Sequence, residues 1–405
     1  MQPRGIPADE ILADLDARRA RDPDFHGARL FGLCYPSGRE DLEHLMYDVY
    51  ERYLFGNALN PIKFKELAAL EADVVGDVGS LLHLPDGGGG AMTSGGTESI
   101  LMSMLVSRER ARARGVERPR IVAPLSAHPA YAKAAHYFDM EHVSIPLDDD
   151  WRADVDAAAD LVDEQTAVVI ASAFSYPHGV MDPVTELAAL AARHGVGCHV
   201  DACIGAFVLP FLERLGHDVP PWDFRVDGVT EISGDVHKYG FVPKGASVVL
   251  HRDDDWFGHQ VFLYDRWPSG LYGSPAIAGA RSAAPIAAAW AALRYLGVDG
   301  YTAIQRDLAS TTRKVRAFVD ALDGIEVVGD PIGPVLAFES DTLDLYAVAD
   351  VLDDRGWNLN RNTDPRGLHV MLSPAHGAVV DTLLADLADA VTPHGQSRGV
   401  AARYS

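Results

Sequence analysis

The chain has 405 residues, 48% of them hydrophobic, and a formal charge of −23 at neutral pH. That length exceeds one ordinary domain and supplies ample core, while the acidic balance excludes nucleic acid or an anionic membrane surface as the main partner. The three cysteines, Cys34, Cys198 and Cys203, cannot all pair and match no zinc spacing, so neither a disulfide framework nor a metal site is expected and a reducing cytoplasm fits.

Residues 1–80 are expected to form a helical arm. Stretches 41–50 and 64–75 space apolar residues three and four apart, with a loop over 55–61 between them. The N-terminal residues lack the apolar core of a signal peptide, and no run approaches ~20 apolar residues, so no membrane span is expected. Residues 85–90, PDGGGG, break the helical pattern, and the stretch from Ala91 is expected to open a helix running to about Arg114. Ser94, Gly95, Gly96 and Thr97 at its start are small enough for backbone N–H groups to close on an anion, and the helix N-terminus adds partial positive charge. The turn suits a phosphate but lacks the Gly-Lys-Ser/Thr of a P-loop. Taken alone it is more often merely a helix cap, with Glu98 supplying first-turn charge.

Strand and helix signals then alternate. Strands are expected over 121–124, 143–146, 167–171 and 196–200, and helices over 130–138, 155–161 and 184–194. Repeated βα units predict a mostly parallel sheet. Asp201 closes the 196–200 strand at its carboxyl end, where open α/β sheets bind ligands. Stretches 224–232 and 246–250 read as strands flanking a turn rich in Gly and Pro, in which His237 and Lys238 stand side by side. A lysine between two buried strands must be desolvated or paired. Desolvation lowers its pKa, which an amine needs to attack a carbonyl. The alternative is a surface hairpin with a solvated lysine. Beyond it, helices are expected over 287–296 and 304–322, and strands over 325–328, 335–338 and 367–371. The expected division is an arm (1–80), a large domain (81–296) and a smaller C-terminal α+β domain (297–405).

A pyridoxal phosphate enzyme needs a lysine for the Schiff base and a carboxylate that keeps the pyridine nitrogen protonated. Lys238 and Asp201 could fill those roles. With them stand TSGGTESILM at 93–102, SAHPAYAKAAHYF at 126–138, YPHGVMDP at 176–183 and HVDAC at 199–203. FRVDGVT at 224–230, HKYGFVPKG at 237–245, YGSPAIAGAR at 272–281 and GWNLN at 356–360 follow in order. Together these motifs resemble the sphingosine-phosphate lyase branch of the group II decarboxylase superfamily, within the fold-type I pyridoxal phosphate enzymes. The resemblance implies an α/β fold with a large, mostly parallel sheet of the seven-stranded type.

It also implies roles for particular residues. Lys238 would hold the cofactor aldehyde, Asp201 would pair with the pyridine nitrogen, and His128 would stack on the ring. Ser94, Gly95, Gly96, Thr97 and His237 would hold the cofactor phosphate, helped by Gly273 and Ser274 from a second subunit of a homodimer. Tyr35, Asn57, Asn60, Tyr176 and Lys244 would line the substrate pocket. The implied reaction cleaves the Cα–Cβ bond of a phosphorylated 2-amino-3-hydroxy compound, giving an aldehyde and an amine such as ethanolamine phosphate. Catalytic roles fall to Lys238, Asp201, His128 and Tyr176, and the base for the hydroxyl is His128, Tyr176 or the cofactor phosphate. The alternatives are an amino-acid α-decarboxylase and, further off, a non-catalytic scaffold that binds the cofactor. Each residue also has a plainer reading: a satisfied loop histidine for His128, a strand-end plug for Tyr176, a solvated turn residue for Lys244. Three departures from the branch stand out. Asn60 replaces a usual histidine, Val236 replaces a threonine, and residues 281–284, RSAA, replace a usual RPGG. The membrane-anchoring helix of the eukaryotic lyases is also missing, which implies a soluble enzyme.

Overall fold

The computed structural model describes residues 4–391 and 397–402. Positions 1–3 of the expected arm, and 392–396 and 403–405 of the expected C-terminal unit, lie outside the described residues. The arm comprises helices α1 (Ala8–Arg19), α2 (Glu40–Tyr53) and α3 (Lys65–Leu81). None of the residues of α1 is buried, whereas α2 seats Leu42 and Met46, and α3 seats Leu67, Val74 and Val78, in the core. Between α2 and α3 the expected loop carries Phe55 and Ile62, 95% and 78% exposed.

The stretch after the glycine run differs from expectation. Residues Gly89–Thr93 form a strand, β1, before the chain turns into α4 (Gly96–Ala113). Gly89 and Gly90 pair antiparallel with His251 and Leu250. A Cβ at Gly90 would stand 2.4 Å from the Val249 carbonyl oxygen, so this glycine allows a close strand approach as well as breaking a helix. Next come β2 (Arg120–Pro124), α5 (Ala130–Phe138), β3 (Glu141–Ile145), α6 (Val155–Leu161), β4 (Thr166–Ser172), α7 (Val184–His194) and β5 (Gly197–Asp201). Then follow α8 (Leu209–Arg214), β6 (Glu231–Gly234), β7 (Ser247–His251) and α9 (Asp254–Gly258).

The seven strands form one sheet in the order β1-β7-β6-β5-β4-β2-β3. Only β7 runs against the rest. All seven residues of β4 are buried, as they must be when helices cover both faces of a parallel sheet. The strand expected over 224–232 is confined to its last two residues and continues to Gly234. Gly228 (φ 92°) turns the backbone where a Cβ would lie 2.6 Å from the Ala188 carbonyl oxygen. Arg252 holds the irregular segment by donating to the carbonyls of Phe224 and Val226 at 2.9 and 2.8 Å.

A two-stranded ribbon, β8 (Phe262–Tyr264) with β9 (Tyr272–Ser274), precedes α10 (Ala283–Val319). As expected, two helices are present within this span: they meet at a kink at Gly297 (φ 54°, ψ −174°), where the backbone leaves the helical region. Helices α2 and α3 lie along α10. Arg281 clamps the junction, donating to both oxygens of Glu71 at 2.6 and 2.9 Å. The C-terminal unit carries β10 (Glu326–Val327), β11 (Val335–Glu339), α11 (Leu345–Asp354), β12 (Asn360–Thr363), β13 (Arg366–Met371) and α12 (Val380–Ala390). Its antiparallel sheet has the order β10-β11-β13-β12. No helix among the described residues is long and apolar enough to cross a membrane.

Candidate active site

The carboxyl ends of β4, β5 and β6 meet the turn between β1 and α4 around a cleft of about 390 Å³. Ser94, Gly95, Gly96, Thr97, His128, Tyr176, Asp201, His237, Lys238, Lys244 and Tyr35 all line it. Eleven positions named from sequence therefore converge from segments far apart in the chain.

The turn into α4 is held by Glu98, whose carboxylate accepts from the Ser94 amide and hydroxyl at 2.7 and 2.6 Å and from the Ile277 amide at 2.9 Å. Glu98 thus anchors the turn in addition to sitting favourably at a helix N-terminus. A Cβ at Gly96 would stand 2.7 Å from Cys203 Sγ and 2.9 Å from Asp235 Oδ2, and one at Gly95 would stand 3.2 Å from His237 Cε1. Space at the helix N-terminus is kept open for an anion, and only hydrogen fits at Gly96. Gly96→Ala is expected to weaken pyridoxal phosphate binding roughly ten- to hundredfold, from the 1–3 kcal/mol that overpacking costs. An absorbance titration of the cofactor against the variant checks it.

Lys238 follows β6 in a turn that is tied down at several points. The His237 amide donates to the Ala246 carbonyl at 2.9 Å, and the hydroxyls of Tyr239 and Tyr301 donate to the carbonyls of Leu372 and Gly240 at 2.7 and 3.0 Å. The lysine side chain is 15% exposed, and its Nζ lies 2.9 Å from Asp235 Oδ2, itself 1% exposed. Burial pushes the Asp235 pKa up, but the Lys238 ammonium, with His237 and the Ser247 hydroxyl, outweighs it and holds the pKa below the usual value. His237 is pushed down to about 4 by burial, with Asp235 opposing. Its Nδ1 accepts from the Ala246 amide at 3.3 Å, which assigns the proton to Nε2.

Asp201 ends β5, and its Oδ1 accepts from the Cys203 amide at 3.0 Å. The imidazole of His128 is kept neutral by burial, against the pull of Asp201. Its Nδ1 accepts from the Ala130 amide at 3.1 Å, so Nε2 bears the hydrogen. Tyr176 lies against His369, with ring centroids 4.5 Å apart, and its carbonyl is 2.9 Å from His369 Nε2. At the mouth, Lys244 Nζ sits 4.4 Å from the centroid of the Tyr35 ring and donates to the His237 carbonyl at 3.3 Å. Lys244 is exposed by surface area, but the concave wall around it and the charge of Lys238 depress its pKa to about 8.

Four named residues lie outside this cleft. Asn57 Oδ1 accepts from the Leu59 amide at 3.0 Å, and Asn60 Oδ1 from the amides of Ile62 and Lys63 at 3.1 and 3.0 Å, so both side chains shape the arm's loop. Gly273 and Ser274 line a different hollow, bounded by Gly89 and Arg281. Sequence reasoning in turn passed over Asp235, Cys203, Ser172, Phe174 and Ile204, all on the cleft wall. For Asp235 a signal existed: it stands three residues before Lys238 in a turn already read as buried.

The arrangement fits a phosphorylated pyridine aldehyde. It offers a helix N-terminus with no side chains in the way, a buried amine for the aldehyde, and a carboxylate at the end of the adjoining strand for the ring nitrogen. Residues 52–340 match the model of the pyridoxal-dependent decarboxylase conserved domain. The chain is 39% identical to the sphingosine-1-phosphate lyase of Oryza sativa, covering 95% of this chain and 72% of that one. It is 37% identical to sphingosine-1-phosphate lyase 1 of Mus musculus, covering 99% and 72%. Among solved structures it superposes on the sphingosine-1-phosphate lyase of Burkholderia pseudomallei with a TM-score of 0.93, at 38% identity over 96% of this chain and 92% of that one.

Proposed function

The chain belongs to the pyridoxal-dependent decarboxylase family, and we propose that it is the lyase its relatives are, cleaving the Cα–Cβ bond of a phosphorylated 2-amino-3-hydroxy compound with a long apolar chain. One observation carries the reading: Lys238, Asp201 and the turn from Ser94 to Thr97 line a single cleft in a chain 38% identical to a solved lyase. Pyridoxal phosphate bound there supplies an electron sink for the pair released when a bond at the substrate's Cα opens.

The protein's own residues do the rest. Lys238 holds the cofactor aldehyde, Asp201 holds a proton on the pyridine nitrogen, and the amides at Gly95, Gly96 and Thr97, with His237, take the cofactor phosphate. His128, with Nδ1 taken by the Ala130 amide and hydrogen on Nε2, would serve as a donor to the bound cofactor and not as the base. Tyr176 and the cofactor phosphate remain as acceptors of the substrate hydroxyl's proton. Lys244 and Tyr35 at the mouth receive the substrate phosphate. A second hollow of about 540 Å³ shares Tyr35, His237 and Lys244 with the cleft and is walled by Phe25, Met46, Tyr50 and Phe241, which supports a substrate with an apolar chain.

The test is a product assay. The enzyme is incubated with a phosphorylated long-chain 2-amino-3-hydroxy compound and, separately, with common amino acids. Aldehyde with ethanolamine phosphate is the expected result; carbon dioxide without aldehyde would make it a decarboxylase, and neither product would favour the scaffold reading. Because the Lys244 ammonium is depressed to about 8, it is cationic below that pH and neutral above. The KM for the phosphorylated substrate is therefore expected to rise between pH 7 and 9. Lys244→Ala should raise KM roughly tenfold or more at pH 7, from the 1.5–3 kcal/mol of a charged hydrogen bond, and flatten that rise.

The working unit in this proposal is a homodimer in which Gly273 and Ser274 complete the partner's phosphate site. The exposed side chains of Phe262, Leu263 and Leu271 on the ribbon that carries Gly273 support this. Light scattering should give a species of twice the 43.7 kDa chain mass. The unbonded thiols of Cys34, Cys198 and Cys203 support a cytoplasmic setting.

A further inference from the structure

The carboxylate of Asp235 has no part in the roles assigned above, yet it faces the reacting nitrogen. Its Oδ2 lies 2.9 Å from Lys238 Nζ, and its Oδ1 is buried with no hydrogen-bond partner. The titratable groups around the pair are His237 and Lys244 from the same turn, Asp201 at the end of β5, Cys203 after it, and His128 before α5. Tyr239 also faces the lysine. None matches Asp235 as a base for Lys238. His237 and His128 each spend Nδ1 on a backbone amide, Lys244 is a cation, the Cys203 thiol is pushed up by burial, and Asp201 Oδ1 is engaged by the Cys203 amide.

An ammonium has no lone pair, so Lys238 must shed a proton before it can attack a carbonyl carbon. A buried carboxylate facing that ammonium is tolerable, but one left facing a neutral nitrogen is not, unless it keeps the proton. The same contact that pairs the charges therefore makes Asp235 the place for the proton to go. We propose that Asp235 is the general base and acid for Lys238, taking its proton when Nζ attacks the cofactor aldehyde and returning one when the substrate's amine displaces the lysine. This rests on the reading of Lys238 as the lysine that binds pyridoxal phosphate.

The protons balance. On loading, the Nζ–C bond forms and the aldehyde C–O bond breaks; nitrogen gives up two protons and the oxygen leaves with both, as water, Asp235 passing them in turn. On exchange, the substrate's N–C bond forms and the Nζ–C bond breaks, and two protons move by the same route from the incoming nitrogen to the departing one. Gly96 keeps the path clear, since a Cβ there would lie 2.9 and 3.0 Å from the two carboxylate oxygens.

The test follows capture of pyridoxal 5′-phosphate by the full chain stripped of cofactor, using stopped-flow absorbance from pH 5 to 10. In Asp235→Asn, the high-pH plateau of the capture rate should fall at least tenfold and the half-rate pH should move down by a unit or more, because the ammonium has lost its anion. Asp235→Glu should recover part of the plateau. A plateau within twofold of wild type would overturn the proposal even if the half-rate pH moves, for the carboxylate would then be a counter-ion only. Should the Asn variant fail to fold, by circular dichroism, the wild type decides: a solvent deuterium effect of twofold or more on the plateau is expected, and its absence overturns the proposal. If wild type forms no yellow band at all, the assignment of Lys238 falls and takes this inference with it.

Discussion

Lys238→Ala is expected to give a folded protein that stays colourless with pyridoxal phosphate and turns over substrate roughly four to six orders of magnitude more slowly than wild type. That is the scale seen when a covalent catalytic group is removed. The turn should survive, because what holds it is backbone and tyrosine: His237 to Ala246, Tyr239 to Leu372, Tyr301 to Gly240. The larger structural consequence falls on Asp235. It loses the ammonium at 2.9 Å in a site where its own side chain is 1% exposed. Breaking a buried ion pair costs about 3–5 kcal/mol, and protonation of the carboxylate would offset part of it. Sign and pH window follow from the direction of its shift: the pKa of Asp235 is depressed in the folded wild type. The pair therefore contributes stability above the ordinary carboxylate pKa, and loses it as pH falls through the depressed value. The variant should accordingly be less stable than wild type at neutral pH and close to it in acid. Borohydride reduction followed by peptide mapping checks the chemical half. A cofactor adduct that persists in Lys238→Ala, on any other lysine, would sink the assignment.

Some of this fold could be read directly from the residues. Helices α5, α6 and α7 fall on the expected positions 130–138, 155–161 and 184–194, because each presents one apolar face at a regular spacing between turn residues. Strand β4 was visible for a related reason: buried on both faces, it has an unbroken apolar run at its centre. Features set by distant contacts were hidden. The glycines of β1 resemble a breaker until the approach of Val249 is known. The β12 segment, Asn360–Thr363, is polar throughout and pairs only because β13 lies beside it. In the site, Lys238 and Asp201 stood out because a charged residue next to a buried strand needs a reason. Asp235 was passed over although it stands three residues before Lys238, because only the folded turn brings its carboxylate within 2.9 Å of Nζ. Asn57, Asn60, Gly273 and Ser274 were named through resemblance alone, and their side chains or backbone lie outside the cleft. Nothing in their local spacing marks them out, and the loop and ribbon that carry them are placed by distant contacts.

Asp201→Asn is expected to lower kcat by roughly 10²–10³-fold, the range found when one preorganised electrostatic partner of a reacting group is removed. KM should change only several-fold. The substitution isolates charge from shape. The carboxamide matches the carboxylate in size, its oxygen can still accept from the Cys203 amide now 3.0 Å from Oδ1, and the backbone register of β5 with Ser172 and Ser233 is untouched. What disappears is the anion that makes a proton on the pyridine nitrogen favourable, and without it the ring is a poorer acceptor for the pair released at Cα. The influence of Asp201 that raises the His128 pKa goes too, so that imidazole, already held neutral by burial, stays neutral over a still wider pH range. Asp201→Glu restores the charge one methylene out of place and should fall between the two. Lys238 is unchanged in both variants, so both should still turn yellow with pyridoxal phosphate. Colour retained with turnover lost places the defect after cofactor loading, where an electronic role belongs. Colour lost in Asp201→Asn would mean that the carboxylate serves to hold the cofactor, and near-normal turnover would remove Asp201 from the chemistry altogether.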